Sequence, residues 1–398
     1  MTGRRTRLGA GAVIAILLAA LNLRPGVVAV SPLLGEILAD ENLSATAGGI
    51  LTTLPVLCFG LLAPAAPGLA RRFGLERALF ASLVLLCAGF ALRLVPGLAT
   101  LLLGTLAVGC AIGLGNVLLP ALIKRDFADR VGLMTGLYSM ALSGGAALAA
   151  GLTVPLATAA GLDWRAALAS WGLLAVLGAA VWAPRGLHPA GGVLGPVRPA
   201  GAQQHDNAVR SVWRSPLAWA VTVLMGTQSL SFYAVNAWLP EIFVAAGRSV
   251  VVGGWLLALT NLLGIVGSFV TPVLAGRMRR QRAIGVVVVA LITTGLLGLI
   301  LAPDAAILWV VLLGLGQGGG ISLALTLMAL RTDSAARTSE LSGMAQSAGY
   351  VLAACGPLGL GIAHDATGSW TVPLLVLVAA SLVQGVAAWF AGRDEIVR

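Results

Sequence analysis

Charge is what this chain has least of. Only 10% of its 398 residues are Asp, Glu, Lys or Arg, against about a quarter in soluble domains. With 58% hydrophobic residues and a mean hydropathy of +0.96, that scarcity excludes a soluble globular protein and points to an integral membrane protein. Lysine is nearly missing, Lys124 being the one Lys among 25 basic residues. The 15 acidic residues all fall in loops, termini or the ends of apolar runs. No run carries a carboxylate at its centre, so the buried acidic relay of many proton-coupled carriers has no obvious counterpart here. A cationic solute would also find no counter-charge. The four cysteines, Cys58, Cys87, Cys110 and Cys355, lie inside apolar runs without metal-ligand spacing, which excludes a disulfide framework. Of the three histidines, His188 and His205 fall in one polar stretch, and His364 lies near the end of an apolar run. No nucleophile–base set, phosphate loop or nucleotide-binding segment occurs. An enzyme and a primary pump are therefore not expected, nor is any cofactor or metal.

What fills the chain instead is a series of apolar runs of about 20 residues, the length of a helix crossing the ~30 Å hydrocarbon core. Twelve are read, near 8–37, 45–70, 77–96, 98–123, 131–158, 164–184, 215–243, 249–275, 283–302, 305–329, 338–363 and 370–391. Numbered 1 to 12, these are the spans referred to below. Arg4, Arg5 and Arg7 precede a first run too long for a signal-peptide core. The one long polar stretch, 185–214, reads as a cytoplasmic linker between an N-terminal six-helix bundle, 1–184, and a C-terminal one, 215–398.

The net charge of +10 could suggest nucleic acid, but its distribution does not. Of the 25 basic residues, all but four gather in loops on one side. The exceptions are Arg93, Arg165 and Arg248, near the other side, and Arg24, within a span. The positive-inside rule places the basic side, with both termini, in the cytoplasm. The expected setting is the cell inner (plasma) membrane, with the bilayer and a small-molecule substrate as partners, no nucleic acid, and a monomeric state.

The two halves are related in sequence. At an offset of 205, Glu36 pairs with Glu241, Ser44 with Ser249, Gly48-Gly49 with Gly253-Gly254, Pro67 with Pro272 and Arg72 with Arg277. Parallel repeats of this kind rock about a midplane site in alternating-access carriers. Arg24 breaks the symmetry, because Ser229 occupies its register position in the second half. An Arg near the bilayer core costs about 2.5–3.5 kcal/mol on insertion scales. Such a residue faces a wet cavity or an anion, or else bonds the backbone of a neighbouring helix.

At this point the chain resembles the major facilitator superfamily over nearly its full length. Gly68-Leu69-Ala70-Arg71-Arg72-Phe73-Gly74-Leu75-Glu76-Arg77 is similar to the superfamily's signature loop, with Leu274-Ala275-Gly276-Arg277-Met278-Arg279-Arg280 as its second-half counterpart. Arg71 and Gly276 stand where that signature has an acid, so its associated charge relay lacks a member. Asp163-Trp164-Arg165 is also familiar from the superfamily. More narrowly, Leu21-Asn22-Leu23-Arg24-Pro25, Ser31-Pro32-Leu33-Leu34 and Trp238-Leu239-Pro240-Glu241-Ile242 resemble the cyanate porter / 2-nitroimidazole transporter family. The resemblance implies an all-α membrane protein of twelve transmembrane helices in two pseudo-symmetric six-helix bundles, moving small anionic or small polar solutes.

In that fold spans 1, 4, 7 and 10 line the central cavity, flanked by 2, 5, 8 and 11. Mid-depth polar residues on those spans are the candidate substrate contacts: Asn22, Arg24, Asn116, Tyr138, Gln228, Tyr233, Asn236, Asn261, Gln317, Gln346 and Tyr350. Buried amides and hydroxyls need partners. A guanidinium binds a carboxylate-like group through two parallel hydrogen bonds, and a phenol clamps a planar solute with one apolar face and one hydroxyl. The expected function is secondary transport of a small anion or polar solute, cyanate-like or nitroimidazole-like, with Arg24 recognising it. The competing expectation is a multidrug or neutral-solute exporter of the same fold, in which Arg24 is structural.

Overall fold

The computed structural model describes residues 10–62, 65–127, 131–187, 212–333 and 335–397. The arginines at 4, 5, 7, 130, 198 and 210, His188, His205 and most of the linker lie outside them. The described chain is helical throughout, apart from turns and loops. Ten helical segments are long and apolar enough to cross a membrane by length and composition. The other two expected spans, 7 (Pro216–Ala245) and 11 (Ala335–Thr367), are the longest helices with 30 and 33 residues, beside the 30-residue span 5. Their apolarity is diluted by amides, hydroxyls and glycines, as expected of helices that face a passage rather than lipid.

Span 1 departs from the single helix expected over 8–37. It is four pieces: Ala10–Leu21, Pro25–Val28, a 3-10 turn at Ser31–Leu33, and Leu34–Asp40. Pro25 and Pro32 cause the breaks, since each lacks an N–H and its ring crowds the preceding turn. Broken turns leave carbonyls to be satisfied; Arg93 does so at Gly26, while Asn22 ties the broken stretch to span 6. Asn22 Nδ2 donates to Leu18 O at 2.9 Å and to Leu174 O on span 6 at 3.1 Å. Arg93, from span 3 (Leu75–Leu94), donates through Nη1 to Gly26 O at 2.8 Å and through Nη2 to Thr105 Oγ1 at 3.1 Å. Arg93 is 0% exposed. It is thus a packed interior residue of the first bundle rather than a loop charge.

Two other expected spans are also divided. Span 2 is Ala45–Leu62, and a separate helix, Ala66–Phe73, carries the signature loop. Span 6 is Trp164–Ser170 followed by Gly172–Leu187, so its helix runs three residues into the expected linker.

The two bundles meet along three seams near the end opposite the basic loops. Between spans 1 and 7, Ser31 Oγ donates to Ala237 O at 2.7 Å, and one turn further out Gly35 N donates to Glu241 Oε1 at 3.0 Å. Between spans 2 and 11, Thr53 Oγ1 donates to Ala354 O at 2.9 Å. The backbone of Gly49 comes so close to span 11 that a Cβ there would lie 2.8 Å from Leu358 Cα. At the outer end of this seam Asp365 accepts from Ala45 N at 3.0 Å, Thr46 N at 2.7 Å and Thr46 Oγ1 at 2.6 Å. Between spans 5 (Val131–Ala160) and 8 (Val250–Gly276), a Cβ on Gly254 would lie 2.6 Å from Ala150 O. The hydrogen bonds described between the bundles lie at this end and, through Arg24 and Tyr233, at mid-depth. The bundles are therefore clamped at the end opposite the basic loops.

Candidate substrate pocket

The break in span 1 fixes where Arg24 points. It is the residue before Pro25, at the N-terminal edge of the short Pro25–Val28 helix, and its side chain crosses from the first bundle to the second. Nη1 donates to Tyr233 Oη on span 7 at 3.3 Å, and the guanidinium carbon sits 5.5 Å from the Phe232 ring centre. No carboxylate or backbone carbonyl bonds it among the described residues. It keeps partial solvent exposure although it lies between bundles. Arg93, by contrast, has taken the role of an arginine bonded into helix backbone.

An aromatic ring of residues surrounds this cation. Tyr233 lies 6.0 Å from Phe59 on span 2, 6.3 Å from Tyr350 on span 11 and 5.3 Å from Phe232. Phe59 and Tyr350 meet edge-on at 6.1 Å. Tyr138, on span 5, is buried in the same apolar cluster as Tyr233, with Tyr350 packed against it. All three tyrosines of the chain therefore belong to one cluster drawn from spans 5, 7 and 11, in which Tyr233 touches the guanidinium. The pocket beside it is lined by Arg24, Val27, Val28, Thr52, Phe232, Tyr233, Asn236 and Ala237. Its free space is about 10 Å³, room for about one water. A solute enters only when the rings and the Arg24–Tyr233 contact part.

The remaining candidates divide. Asn236 lines the pocket, but its amide is committed: Nδ2 donates to Phe232 O at 2.9 Å and Oδ1 accepts from Asn261 Nδ2 at 2.9 Å. Asn261 also donates to Leu257 O at 3.1 Å. The pair ties span 7 to span 8 immediately behind the pocket. Asn116 on span 4 is half-buried and makes no hydrogen bond among the described residues, leaving its amide free. Gln346 on span 11 is half-buried and donates to Ser342 Oγ at 2.7 Å.

Three candidates sit elsewhere. Asn22 holds span 1 to span 6. Gln228 donates to Gln317 O at 2.7 Å and accepts from Gln384 Nε2 at 3.0 Å, and Gln317 donates to Ser231 O at 3.5 Å. Gln228 is 0% and Gln317 2% exposed, so both are packed within the second bundle. The reason is helical phase: Gln228 is five residues from Tyr233, more than a full turn, and points to the opposite side of span 7. Phe59, Phe232 and Thr52 were not foreseen. Only 6% of the chain is aromatic, and an aromatic on a cavity-flanking span was the one signal that could have found the two phenylalanines.

The sequence profile described as Major Facilitator Superfamily matches residues 12–357. The chain belongs to the major facilitator superfamily. It is 40% identical over 390 residues to the 2-nitroimidazole transporter of Escherichia coli (strain K12), covering 96% of this chain and 95% of that protein. It is 41% identical over 384 residues to the uncharacterized transporter YycB of Bacillus subtilis (strain 168), covering 96% and 93%. With the cyanate transport protein CynX of Escherichia coli (strain K12) it shares 31% identity over 360 residues, covering 89% and 90%. Among solved structures, the D-xylose-proton symporter superposes with a TM-score of 0.75 at 14% identity, covering 97% of this chain and 98% of that one. This superfamily member is a multi-pass membrane protein and a secondary transporter of small solutes, of the cyanate porter / 2-nitroimidazole transporter type.

Proposed function

We propose that the solute is small, planar and anionic or strongly polar, that Arg24 recognises it, and that it crosses by alternating access of the two bundles. The carrying observation is Arg24 itself: a guanidinium between the bundles, bonded among the described residues by one phenol hydroxyl and no carboxylate. A charge in that setting is stabilised by an incoming acceptor. Tyr138, Tyr233, Tyr350, Phe59 and Phe232 supply flat faces against which a planar solute stacks. The named substrates of two relatives, 2-nitroimidazole and cyanate, are planar or linear molecules with electron-rich acceptor ends, which fits this pocket. The seams on spans 1, 2 and 5 form the closed gate, and the opposite end forms the open mouth. The basic end faces the cytoplasm of the cell, with both termini on that side, so the state described opens inward. The chain works as a monomer of two bundles, 1–184 and 215–398, joined by a linker.

Uptake into proteoliposomes tests this. Arg24→Ala is expected to lower anion transport about ten- to hundredfold, the loss of one charged hydrogen-bonding group. Arg24→Lys retains part of it, because the charge stays while the fork geometry is lost. Unchanged transport by Arg24→Ala, or a preference for bulky lipophilic cations, defeats the reading.

A further inference from the structure

A second cavity, of about 340 Å³, opens between the basic ends of spans 7 and 12 (Thr371–Ala391). That volume is in the range of small-ligand clefts, about 300–1,000 Å³. Its walls are apolar: Leu217 and Val223 from span 7, Val383 and Val386 from span 12. Val383 and Val386 are 51% and 60% exposed on the membrane-facing surface. Trp219 lines it too, with its indole N–H donated to Trp213 O at 2.9 Å. Amphipathic indoles favour the membrane boundary.

The mouth of this trough is charged. Arg393 and Glu395, on the tail after span 12, both line it. Their closest approach is 3.9 Å, too long for a hydrogen bond. Arg393 Nε is buried and has no hydrogen-bond partner, while its guanidinium lies over Phe390 at 4.5 Å. The tail is pinned on both sides of the pair. Gln281 N donates to Gly392 O at 3.1 Å, Val397 N donates to Arg331 O at 2.8 Å, and Arg337 Nη1 donates to Val397 O at 2.9 Å. Cation and anion are thus only loosely paired, at a fixed place, where an apolar trough meets the membrane boundary.

That arrangement is complementary to an amphiphile whose head carries a phosphate next to a primary ammonium. We propose that the crevice binds phosphatidylethanolamine. One acyl chain lies along Val223, Val383 and Val386. The phosphate accepts from the exposed part of the Arg393 guanidinium, and the ammonium donates to Glu395. Phosphatidylcholine presents the same phosphate but no ammonium N–H, and phosphatidylglycerol has no cation for Glu395. The basic side chain at a helix crevice gives headgroup affinity, and the adjacent acid selects among heads. This site is independent of the solute pathway.

Native mass spectrometry of the delipidated full chain, with dioleoyl-phosphatidylethanolamine, -phosphatidylcholine or -phosphatidylglycerol added at equal concentration, tests it. Phosphatidylethanolamine adducts are expected to exceed phosphatidylcholine adducts by about two- to fivefold, the scale of one exposed ion pair. Glu395→Gln abolishes that preference and leaves phosphatidylcholine binding unchanged. Arg393→Gln lowers both, and Val386→Trp, which fills the trough, lowers all three lipids. Glu395 is an exposed tail residue, so its variant keeps the fold, and its lipid ratio decides alone if the others do not fold. Equal binding of the two zwitterionic lipids by the unaltered chain, stronger binding of phosphatidylglycerol, or a preference that survives Glu395→Gln overturns the proposal.

Discussion

Two arginines of the first bundle show how one residue type is used in opposite ways. Arg93 is sealed and bonded to a carbonyl that the break in span 1 released; Arg24 bonds no carbonyl among the described residues and reaches the other bundle. Arg93→Met leaves Gly26 O without its partner, a cost of about 1–3 kcal/mol. It is expected to lower the thermal unfolding temperature in detergent while the solute preference of the remaining folded protein is unchanged. A preference that shifted with Arg93 would place it in the pathway. Tyr233→Phe removes the hydroxyl that Arg24 contacts but leaves the ring. Transport is expected to fall less than in Arg24→Ala, with the loss in turnover rather than in solute affinity, because the phenol links the bundles whereas the guanidinium is the proposed solute contact. Arg24 was legible from sequence because a lone charge in an apolar run has few resting places. Gln228 and Gln317 were not separable from the pocket residues, since composition gives depth along a helix but not phase around it.

At the scale of helices, the clamped end is built from single side chains bonded to the backbone of the opposite bundle, with bare glycine backbone pressed between them. Spans 1 and 7 share two rungs a turn apart, and spans 2 and 11 share a hydroxyl rung and a carboxylate cap. Burial alone would raise the Asp365 carboxyl. Hydrogen bonds from Thr46 Oγ1 and the Thr46 and Ala45 N–H groups outweigh it and hold the carboxyl below its ordinary range. A depressed carboxyl strengthens the cap fully above its free value, about 3.9, and that strength fades as pH falls through the lowered value. The gate between spans 2 and 11, followed by the distance between spin labels at their outer ends, is therefore expected not to respond to Asp365 between about pH 5 and 8. It loosens only in stronger acid. Asp365→Asn keeps one acceptor and loses the charge, so it loosens the same gate at neutral pH. A label distance identical in the variant and the parent would remove Asp365 from the gate. Sequence marked Ser44, Gly48 and Gly49 as repeat positions, yet the partner of span 2 lies about 320 residues away in the chain. Local pattern carries no information on contacts of that range.

For the whole molecule, the repeat fixes the architecture and the departures from it mark the candidate site. Gly49 and Gly254 occupy corresponding positions in the two halves, and each presses bare backbone against the opposite bundle. Glu36 and Glu241 also correspond, but only Glu241 reaches across a seam, while Glu36 is exposed. Arg24 has no second-half counterpart at all. The twelve-span count and the division into bundles were readable because a ~20-residue apolar run has one stable form in lipid. The break in span 1 was less so: its prolines are plain in the sequence, but whether a proline kinks a helix or ends it depends on what satisfies the freed carbonyls, here Arg93 at Gly26. The close glycine contacts also give the proposed alternating access a test. At Gly49 a Cβ would fall 2.8 Å from Leu358 Cα, and at Gly254 2.6 Å from Ala150 O. Both obstacles are backbone, which cannot turn aside as a flexible side chain can. Gly49→Val or Gly254→Val therefore forces the bundles apart at the clamped end, and rigid bundles that part there close at the other. Either variant is expected to lengthen the distance between spin labels on the outer ends of spans 2 and 11 and to shorten it between labels at their basic ends. A change confined to one end would mean that the helices flex individually, and rigid-body rocking would be the wrong description of this transporter.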